Sequence, residues 1–196
     1  MKIIGVTGGV GAGKSTVLMY LAGQYRAKVI QADEIGHEVM EPGREAYQKI
    51  LSVFGEGILS EDGSVDRKVL GGIVFADEEK LKALNAIIHP AVKEAILSRL
   101  TQAENAGEKY AVVEAALFLE EKYDAFCDET WYIYTNEERR RDRLKKSRGY
   151  TDERIDQIFA NQKTHEEFLS RCEFVIDNNK AQEDTWRQID RRMKSR

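Results

Sequence analysis

The stretch "TGGVGAGKST", residues 7–16, decides how the rest of the chain is read. Gly8, Gly9, Gly11 and Gly13 leave the backbone bare, and Lys14, Ser15 and Thr16 follow at once. Glycines let a chain turn tightly and bring N–H groups close to an anion without Cβ clashes. The spacing Gly8-x-x-x-x-Gly13-Lys14-Ser15 is that of a phosphate-binding loop, in which Lys14 reaches the outer phosphates and the Ser15 hydroxyl is a ligand for Mg²⁺. Such a loop joins a strand to a helix whose N-terminus also faces the anion. Both flanks agree. "KIIGVT" (2–7) is a short apolar run of strand type, and "STVLMYLAG" (15–23) reads as a helix stopped by Gly23. A glycine-rich turn with a chance lysine is the competing reading, and the flanking strand and helix weigh against it. The expected ligand is a nucleoside triphosphate.

The composition bounds what surrounds the loop. The 196 residues suit one compact domain with room for small insertions, and 42% apolar with 33% charged residues reads as a soluble globular chain. No apolar stretch approaches the roughly 18 residues of a membrane span. The chain opens directly on its first strand, so no signal peptide is expected and the cytoplasm is the expected location. Cys127 and Cys172 are too few and too far apart for a metal site or a disulfide framework, and are expected to be buried or semi-buried thiols in a reducing cytosol. The net charge of −4 argues against a nucleic-acid-binding surface.

Five apolar runs read as strands: 2–7, 27–31, 109–118, 130–135 and 173–177. They are nearly continuous rather than alternating, as in a parallel sheet covered on both faces. Helical patterns lie between them, including 78–104, which Pro90 is expected to kink or divide. The order β-α-β, insertion, β-α-β-α-β predicts an α/β/α three-layer domain. The segment between the second and third strands exceeds what a crossover needs and is expected to form a helical substrate-binding lobe, with turns at "GEG" and "EDG" within 54–67.

In open α/β sheets ligands bind beyond the carboxyl ends of the strands. Asp33 follows the second strand, Glu114 lies on the third with Glu120 and Glu121 beyond it, and "DNN" closes the fifth. Carboxylates at strand ends beside a phosphate loop suit Mg²⁺–phosphate chemistry.

"VTGGVGAGKST", "QADEIGHEV" with Asp33-Glu34-Ile35, "LNAIIHPAV" with His89-Pro90, an arginine-rich segment and "FVIDNN" with Val175-Ile176-Asp177-Asn178 together resemble the dephospho-coenzyme A kinases. The resemblance runs in order from residue 1 to about 180. It implies a P-loop NTPase fold: a core of 1–34, 106–138 and 166–196, a coenzyme-binding lobe of about 35–105 and a small helical lid of about 139–165. It implies transfer of the γ-phosphoryl of ATP to the ribose 3′-hydroxyl of dephospho-CoA, with Mg²⁺, in a monomer or weak homo-oligomer with neither nucleic acid nor membrane as partner. Asp33 matches the acid beside the acceptor hydroxyl; the competing reading of that residue is a helix N-cap. His89 matches the histidine of the coenzyme-binding lobe, and reads equally as a packed core side chain. Gly11, Ala12, Gly13, Lys14, Ser15 and Thr16 match the ATP-binding loop, and Asn178 is placed with them. His37 and His165 have no such match and are expected at the surface.

Glu114 takes the place of an acid after the third strand, as substrate contact and as a holder of Mg²⁺ through water. Many members read Asp-x-Pro-Leu-Leu-x-Glu there, whereas this chain reads "EAALFLE", with Ala116 where the proline stands. The longer carboxylate reaches about one methylene further.

The run "RRRDRLKKSR" (139–148) admits three readings. It is a solvated helix face in which Glu137 or Glu138 pairs with Arg141, a nucleic-acid patch, or a lid whose arginines neutralise a triphosphate. The acidic whole and the absence of interleaved aromatics disfavour the second. Arg143 and Arg148 resemble the lid arginines of the family. Thr151 is expected to cap the returning helix, with Arg154 where a capping-box glutamate would stand. The C-terminal "DTWRQIDRRMKSR" is expected to be a helix packing Trp186 and Ile189. A kinase for another small acceptor, such as a nucleoside or nucleotide, shares the core and differs in the lobe. A non-catalytic nucleotide-sensing module is a third reading. No Asn-Lys-x-Asp motif supports a guanine-specific GTPase.

Overall fold

Strand β1 (Lys2–Thr7) is the middle strand of a five-stranded sheet. It pairs in parallel with β3 (Tyr110–Glu114) on one side and β4 (Glu129–Tyr134) on the other. The edges are β2 (Lys28–Gln31), beside β3, and β5 (Phe174–Asp177), parallel to β4. This computed structural model describes residues 1–195. The chain divides into two compact units, Met1–Ile30 with Ala103–Arg196, and Gln31–Gln102.

In the first unit the strands are covered on both faces, which is why they read as continuous apolar runs. On one face Ile4, Val6, Trp131, Ile133 and Ile176 pack with α1 (Lys14–Tyr25) through Val17, Leu18 and Leu21, and with α9 (Gln182–Lys194) through Ile189 and Met193. On the other face Tyr132 stacks on Phe168 of α8 (His165–Arg171), ring centroids 4.6 Å apart. The same face holds Phe118 against Gly5, where a Cβ would overlap the ring. Trp186 stacks on Tyr20 at 4.1 Å, as expected of the last helix.

Two sequence expectations fail here for physical reasons. Helix α1 runs through Gly23 and ends only at Arg26, a left-handed residue with φ 52°. Tyr25 extends it, because its hydroxyl donates to Asp190 at 2.7 Å and its ring meets Tyr110 edge-on. A helical glycine costs only about 1 kcal/mol, which such packing overrides. Strand β3 ends at Glu114 rather than at 118, since its last register partner is Val6 and the chain then turns so that Phe118 can cover Gly5.

The second unit is helical: α2 (Ala32–Glu38), α3 (Glu45–Phe54), α4 (Arg67–Phe75) and most of α5 (Glu78–Asn105). Its core gathers Ile50, Ile58, Leu70, Val74 and Leu84. Of the glycine turns expected within 54–67, "GEG" forms the start of a short 3-10 turn, Glu56–Ile58, and "EDG" lies between Leu59 and Val65, which form a bridge. The Tyr47 hydroxyl fixes that segment by donating to the Gly63 carbonyl at 2.6 Å. Pro90 sits inside α5, which continues undivided around it.

The remaining helices of the first unit are α6 (Glu137–Arg148) and α7 (Asp152–Ala160). Asn136 caps α6 and Thr151 caps α7, the latter accepting from the Arg154 N–H, as the half capping box predicts. Arg141 ties the pair together by reaching Glu137, Asp152 and Asp156. The described residues contain no helix long and apolar enough to cross a membrane.

Candidate active site

The loop between β1 and α1 is held almost entirely by its carbonyl groups. Gly8 C=O accepts from Lys14 Nζ at 2.9 Å, and Gly9 C=O from the Ala12 N–H at 3.1 Å. Val10 C=O accepts from Arg140 Nε at 2.9 Å. Gly11 C=O accepts from Arg143 Nη1 at 3.4 Å. Ala12 C=O takes three donors, Asn178 Nδ2 at 2.8 Å, Thr135 Oγ1 at 2.8 Å and Arg143 Nη1 at 3.1 Å. Gly13 C=O accepts from the Thr16 and Val17 N–H groups.

A trans peptide is planar, with C=O and the following N–H pointing in opposite directions. Holding the Val10 and Ala12 carbonyls therefore turns the N–H groups of Gly11 and Gly13 the other way, while the Val10 and Ala12 N–H groups are themselves bound, to Gln162 Oε1 and Gly9 C=O. Among the described residues the N–H groups of Gly11, Gly13 and Ser15 meet no acceptor. Outward N–H groups at a helix N-terminus form a concavity for an anion. Gly11 and Gly13, at φ 80° and 94°, take the left-handed backbone that this path requires.

The donors come from three elements. Arg140 and Arg143 lie three residues apart, on one face of α6, with Leu144 buried beside them. Asn178 follows β5, its Oδ1 accepting from Thr185 Oγ1 of α9 at 2.8 Å. The Arg143 guanidinium also donates to Asn178 C=O at 3.0 Å. Burial lowers the Arg143 pKa from the ordinary arginine value, and the neighbouring Arg139 lowers it further.

Lys14 Nζ also stands 3.6 Å from Glu114 Oε1, and Glu114 is buried at the carboxyl end of β3. Ser15, in the first turn of α1, is exposed. One hydroxyl and one carboxylate are a small donor set, and among the described residues no group of three His, Cys, Asp or Glu gathers to hold a metal. Mg²⁺ takes one or two protein ligands and fills its sphere with phosphate oxygens and water. This set fits that ion.

The first unit thus brings together residues 11–16, Glu114, Arg143 and Asn178. Arg148, the last residue of α6, is exposed and lies over the Tyr150 ring at 5.8 Å, with no polar contact to the loop among the described residues. Asp33 and His89 belong to the second unit. Asp33 lies in the first turn of α2 with an exposed side chain, and the N-cap position is Gln31, so the capping reading of Asp33 is set aside. His89 is half-buried in α5. That unit carries a cavity of about 640 Å³ lined in part by Arg44, Lys49, Arg99, Glu38 and Glu94.

His165 is not the surface group its sequence context suggests. It is half-buried, its Nδ1 is 3.2 Å from the Tyr132 hydroxyl and its ring lies 4.4 Å from Tyr134. Burial pushes the Tyr132 phenol up to about 12. Cys127 and Cys172 are half-buried free thiols, each pushed up to about 12 by burial, then by nearby carboxylates. Sequence reading missed Arg140, Thr135, Gln162 and Thr185 as loop-holding groups. Arg140 and Gln162 lay in the segment expected to be the lid, Thr135 at the end of the fourth strand run and Thr185 in the C-terminal helix, but none was singled out.

Comparison with known proteins follows the same lines. The family model for dephospho-CoA kinase matches residues 2–184. A dephospho-CoA kinase of Geobacter sulfurreducens is 40% identical over 190 residues, covering 97% of this chain and 96% of that protein. One from Carboxydothermus hydrogenoformans is 40% identical, covering 96% and 91%. Among solved structures, a dephospho-CoA kinase from Campylobacter jejuni superposes with TM-score 0.74 at 28% identity, covering 98% of this chain and 96% of that one. A shikimate kinase from Acinetobacter baumannii, at TM-score 0.58, 14% identity and coverage of 100% and 96%, shares the fold. The sheet, loop and helices are those of a P-loop NTPase.

Proposed function

The chain belongs to the dephospho-CoA kinase family, and from that premise we propose that it transfers the γ-phosphoryl of ATP to the ribose 3′-hydroxyl of dephospho-CoA. The observation that carries the reading is the loop whose carbonyls are all bound inward while the N–H groups of Gly11, Gly13 and Ser15 turn outward. Phosphoryl transfer asks little covalent chemistry of a protein, so positioning and charge neutralisation dominate.

Residues 11–16 hold the ATP phosphates, with the Lys14 ammonium on the outer ones. Ser15 and, through water, Glu114 would hold Mg²⁺, which would supply neutralisation of phosphate charge. Asp33 orients the acceptor hydroxyl and takes its proton. The lobe of about 35–105 grips the coenzyme, with His89 as one contact and Arg44, Lys49 and Arg99 as cations suited to its phosphates. The segment of about 139–165 is the lid: Arg143 neutralises charge on the transferring group, Arg148 approaches ATP on closure, and water is excluded as a rival nucleophile. Asn178 holds the loop that holds ATP. The protein works in the cytoplasm as a monomer or weak homo-oligomer.

The test is ADP release from Mg·ATP with dephospho-CoA, adenosine and AMP offered separately. Release with dephospho-CoA alone is the expected result. Release with another acceptor relocates the error to the lobe, and ATP binding without release for any acceptor overturns the catalytic reading.

A further inference from the structure

Arg140 has no assigned role in the reading above, yet it is the donor nearest the middle of the loop. Its Nε meets Val10 C=O at 2.9 Å, and its Nη2 meets the Oε1 of Gln162. The same Oε1 accepts from the Val10 N–H at 3.3 Å. Val10 is thereby held on both sides by two side chains that also hold each other. The guanidinium lies 4.2 Å above the Phe159 ring and packs on Gly9, where a Cβ would overlap it. A Cβ on Gly11 would come within 3.0 Å of the Arg140 carbonyl oxygen and 3.2 Å of Leu144 Cγ. A side chain at Gly9 would displace the Arg140 guanidinium, and one at Gly11 would press on the α6 backbone.

The Val10 carbonyl and the Gly11 N–H belong to one peptide plane. Fixing the first aims the second. Gly11, lacking Cβ, offers little resistance to rotation of that plane, so the aim depends on what holds the oxygen. With the oxygen released, the plane is free to turn a carbonyl dipole toward the triphosphate in place of an N–H.

We propose that Arg140 and Gln162 are a positioning pair that aims the Gly11 N–H at the ATP phosphates and thereby couples the α6–α7 segment to nucleotide affinity. Neither side chain touches substrate; both act through Val10. The inference rests on ATP being the loop's ligand, as proposed above.

The experiment is calorimetric titration with Mg·ATP in the absence of acceptor, alongside KM for ATP, KM for dephospho-CoA and Tm. Gln162→Leu keeps the shape and removes the acceptor; Arg140→Met removes the donors; Gln162→Glu keeps an oxygen for both Val10 and Arg140. Each of the first two weakens ATP binding about tenfold or more, the double variant adds little further, and the KM for dephospho-CoA stays within about twofold. Gln162→Glu restores ATP binding to within about threefold of wild type. An ATP affinity within about twofold of wild type in Gln162→Leu, whatever the change in Tm, overturns the proposal. So does an equal rise in both KM values. Should Arg140→Met not fold, the Gln162 variants decide alone. Wild-type turnover of dephospho-CoA is measured separately, so an error in acceptor identity leaves the ATP titration interpretable.

Discussion

Lys14 and Glu114 face each other with 3.6 Å between Nζ and Oε1, joining the phosphate loop to the end of β3 through a largely buried ion pair. Breaking one partner of a buried pair leaves the other charge uncompensated. Glu114→Gln keeps the shape and removes the charge. It is expected to raise the Mg²⁺ concentration needed for half-maximal turnover by about 10–100-fold, the range for groups that orient a metal's surroundings. Titration of Mg²⁺ at fixed ATP measures this, and an unchanged midpoint removes Glu114 from the metal.

Asp33 is exposed at the start of α2 and is bound to nothing among the described residues. A carboxylate so placed is available for a ligand. Asp33→Asn is expected to lower kcat about 10²–10⁴-fold, the usual contribution of a general base, with ATP affinity and Tm unchanged. Wild-type kcat in that variant would end the proposed role.

Arg143 serves the loop twice, through Gly11 and Ala12, and reaches Thr135 and Asn178 besides. Arg143→Ala should therefore lower stability by about 1.5–3 kcal/mol, the worth of charge-assisted hydrogen bonds, as well as lowering kcat about 10²-fold or more. Arg143→Lys keeps the charge but not the fork, and falls between. Denaturant titration beside steady-state kinetics separates the two effects; a stability loss with unchanged kcat leaves Arg143 a purely structural group.

Thr185 is 1% exposed and donates to the Asn178 amide, which in turn donates to Ala12. Thr185→Val is nearly isosteric and strands a buried amide oxygen, at a cost of about 1–3 kcal/mol. Chemical unfolding curves report it. A change below about 0.5 kcal/mol would mean the amide finds another donor.

Gly23 lies inside α1, and a Cβ there meets nothing within 4 Å. Gly23→Ala should stabilise the protein by about 0.5–1 kcal/mol through the unfolded chain's lost freedom, with kinetics unaffected. A lower Tm would refute this account of the helix end.

What the sequence disclosed depended on how local each signal was. The loop, the five strands, the Thr151 cap and the packing of Trp186 each follow from residues adjacent along the chain, and all are in place. The division of labour within 139–148 was not legible from periodicity, because α6 docks through polar groups and only Leu144 is fully buried. A helix without an apolar stripe gives no phase from which to tell Arg140 and Arg143 from their neighbours. Thr185 gave no signal at all, since a threonine in an amphipathic helix looks the same whether its hydroxyl meets water or Asn178. His165 was misjudged for a similar reason: its partners, Tyr132 and Tyr134, lie on a strand made thirty residues earlier.

The sheet order has a further consequence for how the chain is made. β1 is synthesised first and occupies the middle of the sheet, but its two neighbours, β3 and β4, are made more than a hundred residues later. A nascent β1 therefore waits with both edges unpaired, and closing such distant partners is slow. The wait is longer still for the loop, whose Ala12 carbonyl is held by Asn178, itself held by Thr185. A ribosome that has finished the loop has made almost none of what holds it, so nucleotide competence arrives late in translation.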